Sequence, residues 1–110
     1  MPGYSYKEAP KEGIFHLDVL IEKEGGRYTA HCLQFDLVTE GNTIKEAEEM
    51  IIDAIFEYVT FATENNLIHE MFRPAPKDEW QKLSTSKPMK HITFEYTDKL
   101  VSEVDLLMVA

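Results

Sequence analysis

A chain of 110 residues, 44% hydrophobic and 11% aromatic, is sized for one modest core, since domains cluster near ~100–150 residues, and two folded domains are not expected. Its 20 acidic side chains outnumber 11 basic ones, and the resulting net charge of -9 repels phosphate backbones. Direct nucleic-acid binding through a broad basic surface is therefore disfavoured. The lone Cys32 can close no intramolecular disulfide and build no thiol metal cluster, which fits a reducing cytoplasm. Neither a signal peptide nor a membrane span is expected, because residues 1–13 lack an apolar centre and the longest purely apolar run is Leu106 to Ala110.

Residues 1–13, rich in proline, glycine and charge, read as a flexible lead-in. From Ile14 to Glu22 the chain alternates, with Phe15, Leu17, Val19 and Ile21 on one side and His16, Asp18 and Leu20 on the other, the period of a half-buried strand. The turn signal Glu24-Gly25-Gly26-Arg27 follows, and Tyr28, Ala30 and Cys32 then alternate against Thr29, His31 and Leu33. A hairpin with a two- or four-residue loop pairs the two runs. Either loop puts Phe15, Leu17, Val19, Ile21, Tyr28, Ala30 and Cys32 on one apolar wall that needs a cover. The opposite wall collects His16, Asp18, Leu20, Glu22, Thr29, His31 and Leu33, a mixed surface suited to water or to another subunit. Gln34 to Glu40 continues as a third strand ending at Gly41, which permits a positive φ as the strand turns.

Thr43 and Glu46 form a capping box, the start signal of a helix over residues 43–64. Helical spacing aligns Ile44, Ala47, Ile51, Ala54, Ile55, Tyr58 and Ala62 as the stripe covering the sheet. Ile52, Phe56 and Val59 widen that arc on one side, and Met50 and Phe61 on the other. What remains is a narrow acidic ridge of Glu46, Glu49, Asp53, Glu57 and Glu64. The stretch Asn65 to Pro88 reads as a connection, with one or two helical turns around Trp80 between Asp78 and Leu83. Met89 to Thr97 alternates again as a fourth strand. In the segment 98–110, Leu100, Val101, Val104, Leu107 and Met108 recur as on a short amphipathic helix, with Asp98 as its N-cap. The expected fold is α+β: a three- to four-stranded, mainly antiparallel sheet over residues 14–97, covered by one long helix, with a short C-terminal helix.

The string Gly41-Asn42-Thr43-Ile44-Lys45-Glu46-Ala47, followed by Asp53-Ala54, resembles the core of the HicB antitoxin family. The preceding hairpin, with Arg27-Tyr28-Thr29-Ala30-His31-Cys32-Leu33 as its second strand, resembles that family's opening, and the likeness covers about residues 14–65. It implies a reduced RNase H-like fold and either an antitoxin that neutralises a small basic HicA-like ribonuclease toxin by occlusion or a stand-alone HicB-like protein of another role. The chain departs from the family at Gln34-Phe35-Asp36-Leu37-Val38, where many members carry a proline-glycine step, and at Met50, often an asparagine. Many members also carry a C-terminal DNA-binding unit. Here residues 98–110 are acidic, with Lys99 alone against Asp98, Glu103 and Asp105, and do not suggest one.

An RNase H-like fold raises the question of metal-dependent hydrolysis by Asp18, Glu48 and Asp98. Strand parity puts Asp18 on the wall away from the helix, so no catalytic residue is assigned and the metal nuclease stays an alternative. His16, Asp18 and His31 share one wall at a spacing that a divalent ion accepts, but they lack a fourth ligand, so neither a metal nor a cofactor is expected. Cys32 on the apolar wall reads as a buried thiol. The ridge Glu46, Glu49, Asp53, Glu57 and Glu64 is the expected dock for a basic partner. Ile52, Phe56, Leu100, Val104, Leu107 and Met108 are the expected contacts of a homo-oligomer, dimer or tetramer. A further alternative is an oligomeric scaffold with a small-ligand groove.

Overall fold

The computed structural model describes residues 13–97 and 100–110, so the lead-in through Glu12 and the expected cap Asp98 lie outside the described residues. Alternating side chains commit the first segments to a hairpin, β1 (Gly13–Glu24) and β2 (Arg27–Cys32). The loop is the two-residue option: Glu24 pairs Arg27, and Gly25 and Gly26 both take positive φ, 55° and 85°, as a turn matching the strand twist requires. The expected wall forms, with Leu17, Val19, Ile21, Ala30 and Cys32 fully buried and Phe15 and Tyr28 packed against the same core. β3 (Leu37–Gly41) pairs antiparallel with β2. It starts three residues later than expected, because Leu33 N–H bonds back to Asp18 C=O at 3.0 Å and Asp36 turns through φ 55°.

The capping box forms as read and starts α1 (Ile44–Glu64): Thr43 Oγ1 accepts from the Glu46 N–H at 3.0 Å, and Glu46 Oε1 accepts from the Asn42 N–H at 3.0 Å. Ala47, Ile51, Ile55, Val59 and Ala62 are buried against the sheet. Gly41 does not use the conformational freedom that glycine permits. Its φ is not positive; instead a Cβ there would lie 2.6 Å from Ala47 N and 2.9 Å from Glu46 Cβ, so glycine is required by close approach to the helix start. Gly41→Ala is expected to destabilise the fold by about 1–3 kcal/mol, read by urea denaturation, because backbone rather than a flexible side chain must move.

The connection carries a 3-10 turn at Ile68–Glu70, a short helix α2 (Lys77–Gln81) and a 3-10 turn at Lys82–Thr85, close to the turns expected around Trp80. It does not leave the second wall open. Ala75 N–H bonds Leu33 C=O at 2.8 Å and Arg73 N–H bonds Gln34 C=O at 2.9 Å, drawing the segment across the sheet face opposite α1. There Leu20, Leu33 and Ala75 are buried, with Trp80, Leu83, Leu107 and Val109 packed against them. Lys82 Nζ, 2.9 Å from Glu22 Oε1 and 3.0 Å from Glu79 Oε2, fastens the strap to β1.

β4 (Ser86–Glu95) and β5 (Leu100–Val109) complete a five-stranded mixed sheet of order β3-β2-β1-β5-β4. β5 runs parallel to β1 and antiparallel to β4, and it corrects the expectation of a short C-terminal helix. The strand wins because Leu100, Ser102, Val104 and Leu106 all face the main core at no more than 3% exposure, a period of two that a helix cannot supply. The fold is α+β, as expected. No helix among the described residues is long and apolar enough to cross a membrane.

Candidate functional site

α1 leans over β2 and β3, so the half of its circumference turned from the sheet is open. Glu46, Glu49, Asp53, Glu57 and Glu64 are all exposed along it. Capping occupies Glu46, and Lys45 Nζ lies 4.0 Å from Glu49 Oε2, a contact too long and too exposed to neutralise the ridge. Beside the carboxylates stand Met50 at 48% and Phe61 at 59% exposure, the apolar extension of the arc that the described residues leave uncovered. On the other flank, Glu49, Asp53, Ile52 and Ile92 border a groove of about 240 Å³ between α1 and β4. Acid flanked by Met and Phe is a surface that can both attract and seat a basic partner.

The opposite sheet face holds two histidine-carboxylate clusters. His31 reaches Asp36 Oδ1 from Nε2 at 2.6 Å and Glu79 Oε1 from Nδ1 at 3.1 Å. The Lys82 ammonium, with help from His31, holds the Glu79 carboxyl below its ordinary value, and Glu22 and Glu79 together raise Lys82. On β4, His91 places Nδ1 2.7 Å from Asp105 Oδ1 and Nε2 2.5 Å from Glu103 Oε1. Only an imidazolium donates at both nitrogens, and the two carboxylates, Asp105 first, raise the His91 pKa above its ordinary value. A recess of about 400 Å³ opens beside it, lined by Asp18, Met89, Lys90 and Leu107. The His91 cluster escapes the sequence reading because it depends on β5. Strand alternation of Val101, Glu103 and Asp105 against Val104 and Leu106 is the signal that reveals it.

The three side chains considered as metal ligands are dispersed to separate partners. Asp18 Oδ2 accepts from Gln34 Nε2 at 2.8 Å, His31 joins Asp36 and Glu79, and His16 Nε2 sits 3.6 Å from Asp105 Oδ2. Among the described residues, no group of three or more His, Cys, Asp or Glu is arranged to hold a metal ion. Of the nuclease candidates, Asp18 lies on the strap side of the sheet, whereas Glu48 on α1 takes a 2.5 Å contact from Lys90 Nζ on the helix side. The sheet separates them. Asp98 lies outside the described residues. Cys32 is fully buried, and burial pushes its thiol up to about 12.

The residues expected to join copies of the chain fall into two groups. Leu100 and Val104 are buried in the chain's own core, Met108 packs against that core, and Leu107 packs beneath the strap. Being buried strand residues rather than part of a free helical stripe, Leu100 and Val104 offer a second copy no surface, which corrects their assignment, whereas Leu107 and Met108 are half-buried. Ile52 and Phe56 remain at the α1–β4 margin, where the Phe56 ring centre lies 5.7 Å from Phe94 and 5.9 Å from Tyr96.

Compared with protein-family models, curated proteins and solved structures, the chain has no match.

Proposed function

We propose that this chain is a HicB-like, antitoxin-type protein-binding module that seats a small basic partner, of the kind a HicA-like ribonuclease toxin would be, on the exposed face of α1. The observation that carries this reading is the juxtaposition of five exposed carboxylates with exposed Met50 and Phe61 on one rigid helix. Coulomb attraction would gather the partner and orient it, and the two apolar side chains would hold it once water is displaced. Inhibition is then occlusion of the partner's basic surface, with no chemistry by this chain. The Gly41–Ala47 junction gives further support: Gly41 brings the strand end against the helix and Thr43 and Glu46 lock its first turn, so the ridge is presented without a loop's freedom.

The test is co-expression with the product of the adjacent gene, expected to be short and basic, followed by purification through a tag on this chain. A stoichiometric complex that survives at submicromolar protein, weakens with added salt and suppresses RNA cleavage by the partner is expected. Cleavage that continues in the complex, or the absence of any complex, overturns the reading.

A further inference from the structure

β4 is an edge strand of ten residues, and among the described residues nothing pairs with its outer side. Tyr96 N–H bonds Leu100 C=O at 2.9 Å, which places the hydrogen-bonded pairs of the β4–β5 ladder at the even-numbered residues of its second half. The N–H and C=O groups of His91, Thr93 and Glu95 therefore point outward. The first half is closed to a further strand, because Pro88 lacks an N–H and the register slips between Pro88 and Lys90. The second half has neither obstacle.

Charge along that second half has one dominant sign. On the face turned from α1, Glu95 on the edge and Glu103 and Asp105 one strand in stand against a single imidazolium, His91, whose two nitrogens are already given to Asp105 and Glu103. Three carboxylates against one cation leave the surface negative. Thr93 between them is small and sends its hydroxyl to Glu103 at 3.2 Å. Glu103 is thus about two strand spacings, ~10 Å, from any strand added outside β4, within the span of a long cationic side chain laid over Thr93. On the face toward α1, Ile92, Phe94 and Tyr96 are half-buried, Phe56 beside them is 40% exposed, and a groove of about 240 Å³ opens between Ile52 and Ile92. A second copy of β4 would bring the same surplus of carboxylates to this edge, so charge selects a strand of the opposite kind.

We infer that the outer edge of β4, from His91 to Glu95, takes an extended segment of a basic protein as a sixth strand, one in which apolar side chains alternate with Lys or Arg. Backbone bonds to His91, Thr93 and Glu95 hold the segment, and its alternation is what the edge reads. The basic side chains lie beside Thr93 and Glu95, over the carboxylates of the outer face. The apolar ones fall on the other face, where they extend the row Ile92, Phe94 and Phe56 and enter the groove at Ile92. Lys87 and Lys90 oppose a basic strand that slides toward the first half, which confines it to the His91–Glu95 span. This edge is distinct from the outward face of α1 that Met50 and Phe61 mark, so the inference does not rest on what that helix holds.

Titration of the full chain with a short, terminally blocked peptide of alternating lysine and valine tests the inference, read by calorimetry and by amide hydrogen exchange. Saturable binding at submillimolar peptide is expected, with exchange slowed at His91, Thr93 and Glu95 and little changed at Ile92 and Phe94, whose N–H groups β5 already holds. The same peptide N-methylated along its backbone keeps its charges but cannot donate to a sheet, and it is expected to lose the binding. Glu95→Lys is expected to weaken binding of the unmodified peptide by roughly tenfold or more, more so at low salt. Thr93→Pro, which removes an N–H that β5 does not use, is expected to fold as the wild type does by circular dichroism and to lose the peptide. Glu95→Lys decides the matter should the proline variant fail to fold. Exchange at the three outward amides that submillimolar peptide leaves unchanged overturns the inference. So does a methylated peptide, or a Glu95→Lys variant, that binds as tightly as the original pair.

Discussion

Leu106→Ala is expected to cost about 2–5 kcal/mol of folding stability, the range for emptying a leucine site in a packed core. Leu106 is fully buried and sits on β5 opposite Val19, between two neighbouring strands. The position cannot collapse onto solvent, so the cavity persists and the cost falls toward the upper part of the range. An alanine scan along the strand sharpens the point. Val104 and Leu106 face the main core, whereas Glu103 and Asp105 face the other side with His91. Urea denaturation should give large losses at 104 and 106 and small ones at 103 and 105. Large losses at 104, 107 and 108 with a small one at 106 would be the signature of a helix and would refute the topology.

Reversing Glu49, Asp53 and Glu57 together to lysine is expected to abolish partner binding while leaving the fold intact. All three are exposed, and none is a capping residue, so folding stability should move by no more than ~0.5 kcal/mol per site. Each reversal adds two charges, which takes the chain from -9 to -3 and turns the middle of the ridge basic. Steered encounter between opposite charges raises on-rates by roughly 10–10³, so the variant should lose at least that much in association rate at low salt. Stopped-flow association measured across ionic strength reads this directly. The wild-type rate should fall steeply with salt and the variant's should not.

Much of this architecture is legible in the residues. The hairpin register follows from Gly25-Gly26 between two alternating runs, and the start of α1 from Thr43 and Glu46, because local chemistry decides both. β5 is not legible in the same way. Leu106 and Leu107 are adjacent and both apolar, since one faces the main core and the other the strap, and such a two-sided strand carries an apolar spacing that also suits a helix. That single misreading hides the His91 cluster and turns core residues into an apparent interface. The strap over Leu20 and Leu33 is hidden for another reason. Its hold consists of long-range bonds, Ala75 to Leu33 and Lys82 to Glu22, that no local pattern announces. The acidic ridge survives because it depends only on helical period within one well-capped element.

Where the partner sits is the central claim, and amide chemical-shift mapping tests it most directly. Titrating a basic partner into isotope-labelled protein should broaden or shift the outward residues of α1, from Glu46 through Glu64, with Met50 and Phe61 among the strongest. Shifts confined instead to the sheet face of His91, Glu103 and Asp105 would contradict the account and place the functional surface at the recess beside Asp18.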